Sequence, residues 1–245
     1  MNRLSALAAE IGAVNSLLYL LAKGMSRLSG GRARLLKYCI TAQPVPDADI
    51  TPPRRGRSID VGEVSSEQAR GLPLGRPQHV IEQRLAAGTR CLIATNGGQL
   101  LGFQWFTLRD YEEDEVRCLF ELRRVDKCAW DFDIFVFPEA RLQPVFTRLW
   151  DTCNELLRKN SVDYSLSRIN AFNRGSIRAH SRLGAEQIGW ALFIILGSLQ
   201  LSIFSVRPWL HLSLSSENAP VFPASRLARL KEKHKQFSER PHLPG

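Results

Sequence analysis

The sequence predicts a mixed α/β fold in which a mostly antiparallel sheet is flanked by helices. The stretch 144–159 shows the periodicity of an amphipathic helix, and a second helix is expected over 174–182, between apolar runs of strand length. Asn96-Gly97-Gly98 separates two further apolar runs, which is a strong signal for a β-hairpin. The resulting order is strand, helices, a run of strands, helix, strand, helix and two strands, which predicts a mixed α/β sandwich.

The N-terminal residues predict an amphipathic helix. Apolar side chains recur at steps of three and four from Leu4 to Leu28. Glu10 and Asn15 interrupt the apolar run, so neither a transmembrane helix nor a signal peptide is expected. Three interpretations remain open: the helix packs on its own domain, pairs with another subunit, or lies in a membrane interface. We treat 1–36 as a helical extension.

The first half of the body begins with a strand within 34–43 and a loop over 44–57. Pro52-Pro53 excludes regular structure in that loop. Helices follow, and Ser65 with Gln68 forms a capping box at the first of them. The predicted elements of this half are helices at 65–70 and 78–87 and strands at 90–95, 99–106, 117–122 and 129–137.

The second half continues with the helix over 144–159, where Pro144 suits a first helical turn. The strand at 129–137 has apolar residues on both faces and is therefore expected to be central in the sheet. A strand at 163–169, a helix at 174–182 and strands at 187–196 and 200–204 complete the body. The acidic stretch 111–115 is expected to be a solvated loop or a functional rim.

The net charge of +9 lies entirely in the two ends of the chain. Residues 1–37 carry +5 and residues 226–240 carry +4, whereas 38–225 is neutral with 21 basic and 21 acidic residues. A nucleic-acid-binding core would carry a basic face of its own, so no nucleic acid partner is expected. Basic ends suit an anionic membrane surface, or serve only solubility. We predict a body over 37–215, a basic tail over 216–245, and a cytoplasmic location peripheral to the inner membrane.

The five cysteines are scattered, without CxxC or Cys/His clustering. An odd and scattered set argues against a disulfide framework and a zinc site, so reduced thiols and no metal are expected. GxSxG, HExxH and Walker motifs are absent from the sequence.

One stretch resembles a known family of enzymes. After the strand at 163–169 come Asn173, Ser176 three residues on, His180, Arg182 and then Leu-Gly184. This order resembles the second conserved block of the GNAT acyltransferases, which move an acyl group from coenzyme A to an amine. The resemblance covers 88–206 well, and 37–88 only by the order of elements.

The resemblance implies where the acyl-CoA cofactor would bind. In the family the central strand, here 129–137, exposes backbone to the pantetheine arm, and the next turn and helix N-terminus hold the pyrophosphate. Here that turn reads Arg141-Leu-Gln-Pro144-Val-Phe146, with both family glycine positions filled, and Pro144 lacks an amide donor. The implied cofactor-binding residues are Phe135, Val136, Phe137, Arg141, Gln143, Val145, Asn173, Ser176 and Arg182.

The resemblance also implies the catalytic groups. His180 stands where the family usually has a tyrosine that protonates the leaving thiolate, and a histidine can donate a proton near neutral pH. Asp131 and Asp133, taken to share a strand face, and Glu121 are candidates for the base that deprotonates the amine. The alternatives are that His180 lies on a helix surface, that Asn173 is a helix cap, and that the aspartates are solvated or ion-paired.

The implied activity is acyl-CoA-dependent N-acyl transfer, most simply N-acetylation, by direct attack of an amine. The acceptor would be a small molecule, a polysaccharide or a peptide amine, and the sequence does not identify it. The alternative is a non-catalytic protein of this fold that binds a partner or scaffolds an assembly, peripheral at a membrane. Assembly as a homodimer is left open.

Overall fold

The computed structural model describes residues 9–122 and 127–223 of the chain. The chain divides into two compact units. The first unit combines 1–42, 110–125 and 168–245, and the second combines 43–109 and 126–167. The basic stretch predicted over 226–240 lies outside the described residues.

The helices and strands are numbered in chain order. They are α1 Ala13–Leu28, β1 Ala33–Pro44, β2 Asp60–Glu63, α2 Ser66–Gly71, α3 Gln78–Ala86, β3 Arg90–Asn96, β4 Gln99–Thr107, β5 Tyr111–Glu112, β6 Leu119–Glu121, β7 Cys128–Val136, α4 Val145–Lys159, β8 Tyr164–Asn170, α5 Arg174–Arg182, β9 Glu186–Leu196, β10 Leu199–Phe204, β11 Leu210–Ser213 and β12 Val221–Pro223. Short 3-10 turns cover Pro138–Ala140 and Ser216–Asn218. The predicted fold class, a mixed and mostly antiparallel α/β sheet flanked by helices, is confirmed.

The second unit is built on the strand order β8-β7-β4-β3-β2. Neighbours from β2 to β7 pair antiparallel, and β7 pairs with β8 in parallel. Helix α4 buries its apolar stripe on one face of this sheet, including Val145, Leu149 and Trp150. Gly102 allows the close packing there, since a Cβ at this position would lie 2.6 Å from the Phe135 carbonyl oxygen and 3.1 Å from Cγ1 of Val145.

A β-bulge in β7 changes which side chains share a face. Trp105 pairs with Asp133 and the next residue, Phe106, pairs with Asp131, so Phe132 is an extra residue on β7. Consecutive residues of β4 point to opposite faces, and their partners Asp131 and Asp133 therefore do as well. The expectation that the two aspartates share a face is wrong, because it assumed regular alternation through the strand.

The first unit contains the antiparallel order β11-β10-β9-β1 and a separate small sheet, β12-β6-β5. Aromatic side chains join the two sheets: the ring of Phe222 lies 5.2 Å from Phe204 and 5.5 Å from Phe120, between centroids. The strand predicted at 117–122 is β6. It does not belong to the main meander but to the small sheet, because it pairs in parallel with β12, about 100 residues later in the chain.

Helix α1 packs on the first unit by a half-buried stripe that includes Asn15, Leu18, Ala22 and Met25. Lys37 Nζ donates to Asn15 Oδ1 at 2.8 Å, and the ring of Tyr19 meets Phe172 edge-on at 5.6 Å. Gly12, at φ 81°, is the N-cap of α1 and separates it from helical residues at 9–11. Among the described residues, no helix has the length and hydropathy needed to cross a bilayer.

Candidate functional site

The most distinctive feature of the second unit is the point where β7 and β8 stop pairing. Their parallel pairing runs from Cys128 with Tyr164 to Asp131 with Ser167, and ends there within the described residues. On its other edge β7 stays paired with β4 as far as Val136. The last residues of β7 therefore have one edge that is not hydrogen-bonded in the ladder with β8. Strand addition by an extended ligand requires such an edge.

The turn after β7 leads directly into α4. Pro144 is the N-cap, with φ −77° and ψ 35°, and the helix begins at Val145. Because the proline precedes the first helical residue, it removes none of the amide donors of the first turn, which come from 145–147. The 15-residue helix keeps the positive end of its dipole at this turn.

The predicted cofactor residues of this turn have different environments. Arg141 is exposed, and its Nε lies 3.4 Å from the Val136 carbonyl oxygen at the end of β7. Gln143 is exposed, and its backbone amide donates to the Ala140 carbonyl. Val145, the first residue of α4, is fully buried. Arg141 and Gln143 are therefore accessible to a ligand, and Val145 could contribute only its backbone.

An arginine-rich loop packs against the start of α4. A Cβ at Gly56, which has φ +68°, would lie 2.9 Å from Cγ of Pro144 and 3.1 Å from Cγ of Arg148. The loop is tied to α4 further along, where Asp151 accepts from the amides of Ile50 and Thr51. Its exposed basic residues are Arg54, Arg55 and Arg57. The sequence did not single out these cations, which become relevant only through the packing of Gly56 on Pro144.

The side chains of the predicted cofactor strand divide between the two sheet faces. Phe135 and Phe137 form a partly exposed aromatic group with Phe103, at centroid distances between 5.3 and 6.5 Å. Val136 points to the opposite face, because its partner Gly102 lies against Val145 of α4. Of the predicted cofactor residues on this strand, only Phe135 and Phe137 lie on the face that also carries Asp133.

Asp133 is held by two arginines. Its carboxylate accepts from Arg76 Nη2 at 2.6 Å and Nε at 2.8 Å, and from Arg84 Nη1 at 2.7 Å. Both Asp133 and Arg84 are buried, and the Arg84 guanidinium also stacks over the Trp105 ring at 5.4 Å. Both carboxylate oxygens are thus occupied by guanidinium groups, and this geometry favours the ion-paired alternative over the predicted base.

Asp131 lies in the core on the other face. Its Oδ1 accepts from Gln104 Nε2 and its Oδ2 from Ser167 Oγ, both at 3.1 Å. The side chain is buried among these polar groups. The two predicted bases, Asp131 and Asp133, thus lie on opposite faces of the sheet and have different hydrogen-bond partners.

In the first unit, Asn173 is the N-cap of α5. Its Oδ1 accepts from the Ser176 amide at 3.1 Å, so the capping interpretation describes its contact. Ser176 is half-buried in the first turn, and Arg182 is exposed in the last. Asn173 thus caps α5, whereas Ser176 and Arg182 lie within it, and the cofactor contacts assigned to these residues stay predictions.

His180 is buried in α5 rather than exposed, so the helix-surface alternative is wrong. Desolvation lowers the pKa of its imidazole from 6.5 to about 4. At pH 7 the imidazolium form is then only about 0.1% of the molecules. A neutral, buried imidazole is poorly suited to the proton donation expected of this position.

The burial of His180 predicts a pH-dependent stability. Because its folded pKa lies below the unfolded value, its contribution is present above pH 6.5 and is lost as pH falls towards 4. We expect the free energy of unfolding of the wild type, minus that of His180→Gln, to fall by about 2–3 kcal/mol between pH 7 and pH 4.5. Urea titrations at each pH measure this difference, and parallel profiles would contradict it.

Sequence reasoning missed a buried ion-pair network in the first unit. Arg168 Nε lies 2.5 Å from Glu113 Oε2 and its Nη1 3.3 Å from Glu115 Oε2, and its guanidinium stacks on Tyr38. The Glu113 side chain has no exposed surface, so the acidic stretch is not simply a solvated loop. An arginine inside the apolar strand 163–169 was the signal for this network, since such a charge requires a partner.

Glu113 is chemically distinct from the other carboxyl groups. Burial raises the pKa of its carboxyl to about 7, against the opposing effect of Arg168. It borders a cavity of about 290 Å³ that Asp114, Glu115 and Arg34 also line. A carboxyl with this pKa can take up or release a proton near neutral pH. Among the described residues, no group of three or more His, Cys, Asp or Glu side chains could hold a metal ion.

Comparisons with known proteins found similar solved structures but no matching family model or curated protein. Solved structures that resemble the chain include a conserved protein of unknown function from Staphylococcus epidermidis, with 14% identity over 73% of this chain and 67% of that one and a TM-score of 0.48. An aminoglycoside N-acetyltransferase in complex with CoA has 19% identity over 52% and 92%, with a TM-score of 0.42. A tandem GNAT protein from the clavulanic acid biosynthesis pathway has 16% identity over 65% and 54%, with a TM-score of 0.43. At these TM-scores the likenesses add no argument to the geometry.

Proposed function

We propose that the protein is a GNAT-type N-acyltransferase that takes its acyl group from acyl-CoA. The observation that carries the proposal is the end of the β7–β8 ladder at Asp131 and Ser167, while β7 continues to Val136. An acyl-pantetheine arm has amide groups that can pair with such a strand edge. The Asn173–Arg182 motif that follows β8 supports the same assignment.

The turn at the end of β7 supplies what a pyrophosphate needs. The first turn of α4 keeps its amide donors and its dipole, and Arg141 lies beside Val136. The exposed arginines of the loop that packs on Pro144 add positive charge near this turn. In this proposal the amides of α4, Arg141 and the loop arginines together bind the pyrophosphate. The family uses a glycine-rich turn for this role, and in this chain Pro144 and Phe146 occupy the two glycine positions.

Calorimetric titration with acetyl-CoA and with longer acyl-CoAs tests the proposal. We expect binding, and we expect Arg141→Gln to weaken it by about tenfold, because one charge-assisted hydrogen bond to phosphate is lost. Lys159→Gln is the matched control, since Lys159 is an exposed base at the opposite end of α4. Absence of binding by every acyl-CoA, or equal losses in both variants, would refute the proposed cofactor site.

A non-catalytic binding protein is the second candidate, and two observations favour it. Asp133 is neutralised by Arg76 and Arg84, and burial keeps His180 uncharged at neutral pH. Release of free CoA thiol in the presence of small-molecule, peptide and polysaccharide amines distinguishes the two functions. Acyl-CoA binding without release above the rate of hydrolysis would identify a binding protein.

A further inference from the structure

The outward face of the first unit's sheet is rich in Leu and Ile. Every second residue is Leu or Ile across 192–196 of β9, 199–203 of β10 and 210–214 at β11. The intervening side chains, such as Phe193 and Phe204, are buried. In the described chain Leu210 is 63% exposed and Leu212 is 55% exposed. The outward residues of the inner strands are half-buried, namely Leu192, Ile194, Leu199, Leu201 and Ile203. An exposed apolar surface of this kind marks an interaction site.

Helix α1 extends this face with its own apolar stripe. Val14, Leu17 and Leu21 are 68%, 60% and 48% exposed, whereas the polar Asn15 and Ser16 turn towards the unit. The packed side of the helix also carries the half-buried Leu18, Ala22 and Met25, so α1 has apolar side chains on both its packed and its exposed side.

The helix and the sheet face lie on the same side of the unit. Lys37 pairs with Leu192 and therefore shares the outward face of the sheet, and its Nζ donates to Asn15 of α1. The stripe of α1 and the outward residues of β9 to β11 together form what we call the apolar face.

The charged residues within the segments that form the apolar face are basic. Lys23, Arg27 and Arg32 are exposed on or just after α1, and Arg207 stacks on Trp209 at 5.0 Å. Residues 13–34 and 187–214 contain no Asp or Glu. Trp209 is 61% exposed, and an amphipathic ring beside a cation is typical of a membrane–water interface.

We propose that the apolar face docks on an anionic lipid surface, with α1 lying in the interface. Lipid satisfies both parts of the surface, since acyl chains take up the aliphatic side chains and anionic headgroups pair with the basic residues. A second copy of the chain would instead bring like charges together. The inference does not depend on acyl-CoA binding.

Co-sedimentation of the full chain with vesicles tests this docking. We expect binding to phosphatidylcholine vesicles that contain phosphatidylglycerol, weak binding to phosphatidylcholine alone, and release at high salt. Leu17→Asp with Leu21→Asp, and separately Leu212→Asp, should each lower the partition coefficient more than about tenfold. Lys23→Gln and Arg27→Gln should lower it about fivefold each.

Leu142→Asp is the matched control, because Leu142 is a fully exposed leucine of the second unit. It should bind vesicles as the wild type does, and circular dichroism should show that every variant is folded. Failure to bind anionic vesicles, or binding that the apolar-face substitutions leave unchanged, would overturn the proposal. A dimer seen by light scattering that Leu212→Asp dissociates, without vesicle binding, would identify the face as a self-association interface instead.

Discussion

Replacing Asp133 with Asn is expected to destabilise the protein by about 3–5 kcal/mol. The substitution leaves the buried guanidinium of Arg84 without its carboxylate, at a position where only 5% of the arginine side chain reaches solvent. Arg76 loses the same partner, but it is 34% exposed and water can hydrate it. Urea unfolding followed by circular dichroism measures the loss.

Glu63→Gln is the matched control for this prediction. It also removes a carboxylate from an arginine, Arg90, but the pair is 27% and 37% exposed, so we expect a loss within about 1 kcal/mol. The comparison separates two roles of Asp133. If Asp133 serves as a base rather than as a structural counter-ion, the Asn variant will keep its stability and lose only acyl transfer.

Replacing Arg168 with Met is expected to cost about 3–5 kcal/mol at pH 8. The arginine is the counter-charge of Glu113, whose side chain has no exposed surface, and it also contacts Glu115. Met keeps part of the packing on Tyr38 but provides no charge. Lys127→Met, which breaks the exposed pair with Asp163, should be nearly neutral.

The loss in Arg168→Met should be smaller at pH 5 than at pH 8. The folded pKa of Glu113 lies above its ordinary value, so the folded protein binds the extra proton between about pH 4.5 and 7, and stability falls as pH rises through that window. Removing Arg168 raises the pKa of Glu113 further and extends the fall in stability to higher pH. At pH 5 the Glu113 carboxyl is already protonated and carries no charge that needs Arg168 as its partner. An equal loss at both pH values would show that Glu113 is not the group concerned.

The sequence was sufficient for the elements whose signals are local. The helix predicted at 174–182 is α5 at Arg174–Arg182, and the Asn-Gly-Gly hairpin joins β3 to β4. The predicted capping box is formed, with both hydrogen bonds between Ser65 and Gln68. Periodicity, turn residues and caps act over a few residues, and for that reason a single sequence reveals them.

The candidate site could be predicted only in part. The motif placed Asn173 and Ser176 correctly at the start of α5, but it gave no sign that His180 would be buried with a pKa near 4. The loop at 44–57 was expected to be irregular, and nothing local indicated that Gly56 would pack on Pro144. Burial and packing partners depend on residues far away in the chain.

What the sequence by itself determined is the fold class, most of the helices and strands of the body and the location of the family-like motif, but not β2, β5, β11 or β12. The tertiary structure alone decided the faces and partners of the charged side chains. One extra residue, Phe132, turns Asp131 and Asp133 to opposite faces, and Arg84 and Arg168 meet carboxylates about 50 residues away. The physical reason is that strand register and charge pairing are set by non-local contacts, which no local pattern of residues encodes.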